Sequence, residues 1–136
     1  MELNILRADP AGNITVFVLD PVEKAQRAAI AEKIMAIPAL KAEQVGYACA
    51  AEDDVDGHME MMGGEFCGNA TRAYGMYIAQ QKGGLSAVKL RVSGCDHAVT
   101  AQVDLRSGTA RAEMPCPRSV KRVTVNGHEG TLVDLT

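Results

Sequence analysis

The spacing of hydrophobic and polar positions changes along the chain, and each change marks an element. Glu2 to Ala8 alternates and reads as a strand, closed by the turn cluster Asp9-Pro10-Ala11-Gly12-Asn13. Ile14 to Leu19 is β-branched and apolar, a second strand expected to pair with the first. Asp20-Pro21 opens a helix, with proline at or near its first turn. Over Val22 to Ile37 an apolar stripe of Ala25, Ala28, Ala29, Ile30 and Ile34 predicts a surface helix packed on a sheet. Glu23, Lys24, Arg27, Glu32 and Lys33 are left to solvent, and Pro38 ends the run. Gln44 to Ala51 reads as a buried strand, Glu52 to Gly57 as a solvated acidic hairpin tip, and His58 to Met62 as the next strand.

The pattern then breaks. Gly63-Gly64 allows a sharp turn, Glu65-Phe66-Cys67-Gly68 follows, and Asn69 is a good N-cap for a helix running to Gln81. From Ala70 to Ala79 only Thr71 and Arg72 are strongly polar, so nearly every face is apolar and the helix is expected to be buried. Lys82-Gly83-Gly84 stops it with a glycine cap. Four strand-like runs follow as a meander: Ala87 to Ser93, His97 to Leu105, Gly108 to Met114 and Val120 to Val125. A last run, Thr131 to Leu135, breaks off at Thr136. The expected class is α+β: a mixed or antiparallel sheet curved around a central buried helix, with one further helix on the surface, all in one domain over residues 1–136.

Composition narrows the function classes. The chain has 136 residues, 47% hydrophobic and 23% charged, with a net charge of −3. That size supports one real core, and the mild, interspersed acidity argues against nucleic acid as a partner. No apolar run reaches membrane-spanning length and no signal peptide precedes the first strand, so the expected location is cytoplasmic, away from membranes.

The chemistry is concentrated at one thiol. Cys67 sits where free backbone N–H groups and a helix dipole favour negative charge, a setting suited to a carboxylate, phosphate or enolate. The competing reading is a small residue filling a tight strand–helix junction. Cys49 reads as plain core, Cys95-x-His97 as a turn, and Cys116 as a loop thiol between prolines. No cysteine pair has zinc-ligand spacing, and the acidic turn lacks the glutamate of a calcium loop, so no metal is expected. Met59, Met61 and Met62 read as core. Arg72, early in a buried helix, is expected to pair with Glu65 or a backbone carbonyl. Asn13 reads locally as a turn residue.

The segment Glu65-Phe66-Cys67-Gly68-Asn69-Ala70-Thr71-Arg72 resembles the first catalytic motif of the diaminopimelate epimerase family, at the start of that family's central helix. Gly12-Asn13-Ile14-Thr15 is similar to its N-terminal turn, whose asparagine touches substrate. Arg91-Val92-Ser93 and the alternation from Ala101 through Glu113-Met114-Pro115 match the strands after the helix. Two departures argue against diaminopimelate itself: Ala70 replaces a motif glycine, and Met59 to Glu65 replaces a polar segment. This version looks more like relatives that racemise other amino acids, histidine racemases of metallophore pathways among them.

The resemblance implies a racemase or epimerase that needs no cofactor and acts on a small-molecule amino acid. One cysteine thiolate removes the α-proton and a second thiol returns one on the opposite face. Cys67 would be one member of that pair, with Asn13, Gly68 and Asn69 binding substrate. The family's second cysteine lies in a second domain of similar fold, and no matching motif occurs here. The chain is therefore expected to be equivalent to the N-terminal domain of a two-domain epimerase, ending at Thr136 by truncation or gene splitting. Two alternatives stand beside an incomplete racemase half. A homodimer would set two Cys67 thiols face to face. A non-enzymatic domain would bind a small carboxylate at the helix N-terminus.

Overall fold

The computed structural model describes residues 1–135. Thr136, where the strand-like run was expected to break off, lies outside the described residues. The elements in order are β1 (Ile5–Ala8), β2 (Thr15–Val18), α1 (Lys24–Met35), β3 (Gln44–Cys49), β4 (Gly57–Met61), α2 (Gly68–Gln81), β5 (Ala87–Val92), β6 (Val99–Asp104), β7 (Thr109–Ala112), β8 (Ser119–Val125) and β9 (His128–Asp134). Strands β1 to β7 form one sheet in sequence order, and β8 and β9 form a second. The fold is α+β with two helices, and the large sheet is mixed. The pairs β2–β3 and β4–β5 are parallel, because a helix or a long crossover joins each pair, and the other pairs are antiparallel.

The sheet curls around α2. Ala70, Tyr74, Ile78 and Ala79 pack against Phe17, Met59, Met61, Val88, Leu90, Val92, Val99, Ala101 and Val103, which come from β2, β4, β5 and β6. Tyr74 and Phe17 lie 5.4 Å apart between ring centroids, and burial pushes the Tyr74 hydroxyl pKa up to about 12. The helix is only partly enclosed. Arg72, Ala73, Met76 and Tyr77, on its other side, are half-buried. Its C-terminus ends as expected on glycine: Gly83, at φ +79°, donates to Gln80 O, and Gly84 donates to Ala79 O at 2.7 Å.

Strand alternation also sends residues to the opposite face. Val16, Val18, Val45 and Tyr47 form a second core with Ile30, Ala31 and Ile34 of α1. This rotates α1 from its expected face. Ala25, Ala28 and Ala29 are exposed, while Arg27, expected in solvent, turns inward, pairs with Glu60 and lies over the Tyr47 ring. Burying two isoleucines and an arginine stem together outweighs burying the methyls of Ala25, Ala28 and Ala29. The helix also starts later than expected, with Glu23 as N-cap, so Pro21 lies before it.

The expected meander is corrected at its fourth strand. Strands β5, β6 and β7 form it, but β8 leaves the sheet and pairs with β9. Pro115 and Pro117 lack ladder donors and break the run. Asn126 and Gly127, at φ +51° and +78°, make a tight hairpin turn, which starts β9 at His128 rather than Thr131. Among the described residues, no helix is long and apolar enough to cross a membrane.

The depth of α2 is set by Gly75. A Cβ there would stand 2.6 Å from the Ala101 Cβ, an atom fixed to the β6 backbone. Gly75→Ala gains about 1 kcal/mol of helix propensity but overpacks this contact at roughly 2–3 kcal/mol. A lower urea midpoint with an unchanged slope is expected, partly restored in the double variant with Ala101→Gly.

Candidate functional site

Cys67 itself, not Asn69, is the N-cap of α2. Its backbone is extended (φ −133°, ψ 112°) and its sulfur accepts a hydrogen bond from Ala70 N at 3.4 Å. Asn69 is displaced from the cap into the first turn because the helix begins at Gly68. Thr71, fully buried, secures the junction: its Oγ1 donates to Cys67 O at 2.7 Å and its N–H at 2.9 Å.

The loop before Cys67 is held by the end of β5, the strand paired beside β4. Ser93 Oγ donates to Glu65 O at 2.7 Å and accepts from Met61 N at 2.8 Å. Gly94, at φ +73°, packs so closely that a Cβ would sit 2.2 Å from Phe66 N. The turn after β5 thus fixes where the thiol stands.

Around the sulfur lies a network of side-chain amides. Gln44 Nε2 is 3.3 Å from Cys67 Sγ, 3.0 Å from Asn13 Oδ1 and 2.7 Å from Thr15 Oγ1. Asn69 Nδ2 donates to the same Asn13 Oδ1 at 3.2 Å. Asn13 in turn donates from Nδ2 to Glu43 Oε2 at 2.8 Å. That last bond sets the amide's orientation, leaving Oδ1 as the acceptor for two neighbours. The structure therefore brings Asn13, Cys67, Gly68 and Asn69 together. Sequence reasoning missed Gln44, Thr15 and Glu43. Their signal is the parallel register, which sets Thr15 opposite Gln44 and appears only once β2 and β3 are paired.

A cleft of about 500 Å³ opens here, lined by Phe66, Cys67, Gly68, Asn69, Arg72, Ala112 and Met114. The Gly68 and Asn69 backbone N–H groups have no partner among the described residues, whereas Ala70 N–H is taken by the thiol. Two free donors at a helix N-terminus can receive an anionic group. Arg72 is half-buried, lines the cleft and, against expectation, has no hydrogen-bond partner among the described residues.

The other cysteines lie apart. Cys49 is not plain core. It is half-buried on the sheet's outer face, accepts from Arg27 at 3.6 Å, and burial pushes its thiol pKa up. Cys95 and His97 stay within one turn, 3.7 Å apart, and Cys116 is exposed.

Comparison with known proteins matches residues 2–135 to a family model described as "Histidine racemase CntK N-terminal domain". The chain is 32% identical over 140 residues to a histidine racemase of Fusobacterium nucleatum subsp. nucleatum, covering 96% of this chain and 50% of that protein. It is 33% identical over 122 residues to a histidine racemase of Staphylococcus aureus, covering 87% of this chain and 44% of that protein. The chain spans about half the length of the curated relatives it matches.

The capping geometry gives the Cys67 side chain a structural part in α2. Serine is a strong N-cap, so Cys67→Ser is expected to keep stability within about 1 kcal/mol, while Cys67→Ala loses about 0.5–2 kcal/mol with the cap. Thermal unfolding of the two variants checks this order.

Proposed function

The chain belongs to the histidine racemase N-terminal domain family, and from that premise we propose that it supplies one half of a cofactor-independent amino-acid racemase, with histidine as substrate. On this reading residues 1–136 take the part of the N-terminal domain of a two-domain, diaminopimelate epimerase-like protein. The observation that carries it is the Cys67 thiol, held by Gln44 beside two free helix N–H groups in an open cleft.

Racemisation removes one proton from the α-carbon and returns another on the opposite face. The Cys67 sulfur, as thiolate, takes the α-proton from one face of the amino acid, and the electron pair of the C–H bond stays on the α-carbon. A thiol on the opposite face gives its proton to that carbon and becomes the thiolate. In the reverse direction the two exchange roles. One base on one face can only restore the starting configuration, so a second group is required. The relatives' double length supports a second half of the protein as its source.

The developing carbanion spreads charge onto the substrate carboxylate. Gly68 and Asn69 N–H groups are placed to receive it, and preorganised donors of this kind lower such barriers most where water is excluded. Asn13 and Asn69 side chains position the substrate, and Gln44 orients the thiol. The alternative of a domain that only binds a carboxylate uses the same N–H groups but gives Gln44 no reason to face the sulfur.

The test is racemisation of L-histidine in D2O by the full-length protein, followed by optical rotation and by deuterium at Cα. Cys67→Ser is expected to remain folded and to lose about 10²–10⁴-fold in rate, the usual worth of a positioned acid–base group. An unchanged rate in that variant would overturn the role of Cys67. Turnover by the present chain alone would assign the opposite face to a second copy.

A further inference from the structure

A second cluster of reactive side chains lies on the outer face of the β3–β4 hairpin, away from the Cys67 cleft. Cys49 and His58 are direct partners in the antiparallel register, and Glu60 follows His58 by two residues, so all three point the same way. Each is half-buried. Their ligand atoms all lie within 4.8 Å of one another, with His58 Nε2 3.5 Å from Glu60 Oε1. Bonds of about 2.0–2.3 Å to a tetrahedral ion need donors about 3.4–3.7 Å apart, within reach of small side-chain rotations on a fixed two-strand frame.

The site already holds positive charge. Arg27, reaching down from α1, pairs with Glu60, donates to Cys49 at 3.6 Å and stacks 5.2 Å from the Tyr47 ring centroid. A thiol, an imidazole and a carboxylate together suit a borderline-soft ion, not the all-oxygen shell of calcium or magnesium.

We propose that Cys49, His58 and Glu60 form a binding site for a Zn2+-class divalent cation, which displaces the Arg27 guanidinium. Binding exchanges charge in full. The Cys49 proton leaves to solvent, the ion takes three protein ligands and one water, and Arg27 swings out. The sequence hides the site because Cys49 and His58 lack finger-type spacing and meet only through strand pairing.

Titration of the full chain with Co2+ tests it. Saturation at one ion per chain is expected, with a thiolate-to-cobalt charge-transfer band. Cys49→Ser removes the band, and His58→Gln weakens binding at least about tenfold. Arg27→Gln, which removes the competing cation, tightens binding about fivefold, the worth of one partly exposed ion pair. Cys67→Ser and Cys95→Ser leave the titration unchanged. Absence of the band, its survival in Cys49→Ser, its loss in Cys95→Ser, unweakened binding in His58→Gln, or weaker binding in Arg27→Gln would each overturn the site. Circular dichroism of every variant identifies any that fails to fold. The Cys49 and His58 variants each decide the question alone.

Discussion

The packing of α2 into the curled sheet is the constraint on which the rest of the structure depends. A helix apolar on nearly every side must be covered on most of them, and one flat sheet can cover only one. Seven strands in sequence order solve this by curling, so that β2, β4, β5 and β6 all reach the same helix. The fit is tight enough that Gly75 leaves no room for a methyl against Ala101. A helix seated so closely cannot slide, and its first residue is fixed along with its middle. Thr71 ties the first turn to Cys67 O, while Ser93 and Gly94 hold the loop before it. The thiol inherits its position from a core whose centre lies two turns away.

Once that end is fixed, strand pairing decides what surrounds it. The parallel register of β2 and β3 places Asn13, Thr15 and Gln44 at one edge of the curl, beside the start of α2. Three side-chain amides then gather beside the thiol, Gln44 alone reaching the sulfur, and their orientations are linked. Glu43 accepts from Asn13, so Asn13 presents its oxygen inward, and Gln44 and Asn69 turn their NH2 groups toward it. Gln44 has two hydrogens for three acceptors and shares them among Asn13, Thr15 and Cys67. This polar ring sits where β2 leaves the core, so it can be hydrogen-bonded without burying an unmatched group.

Much of this was legible in the sequence. The apolar run from Ala70 to Ala79 gives a buried helix, glycines mark its ends, and a lone cysteine before Gly68-Asn69 marks its start. What depends on tertiary pairing was not legible. Arg27 looks like a solvent residue on a helical wheel, but it meets Glu60 because Ile30, Ala31 and Ile34 outweigh three alanines in choosing the buried face. The wrong N-cap has a local cause: asparagine caps better than cysteine by propensity, but the tie from Thr71 to Cys67 O starts the helix two residues earlier than an Asn69 cap would. Gln44 carries no motif and becomes visible only beside Thr15.

The two faces of β3 and β4 give the cysteines different chemical lives. Along β3, Gln44 points into the curl toward Cys67, whereas Tyr47 and Cys49 point outward under α1. A thiol on the inner face meets amide donors and an open cleft. One on the outer face meets a cation, an imidazole and a carboxylate. The pleat of the strands keeps these sets apart, so the proton-transfer chemistry proposed for Cys67 does not compete with the ligand set around Cys49. The same geometry limits the inner thiol. Gln44 and the start of α2 hold it against one side of the cleft, and a group so held reaches one face of a substrate. Inversion at carbon needs the opposite face as well, so under the proposed racemase reading the rigidity that would suit Cys67 to act as a base would also call for a second, separately held acid.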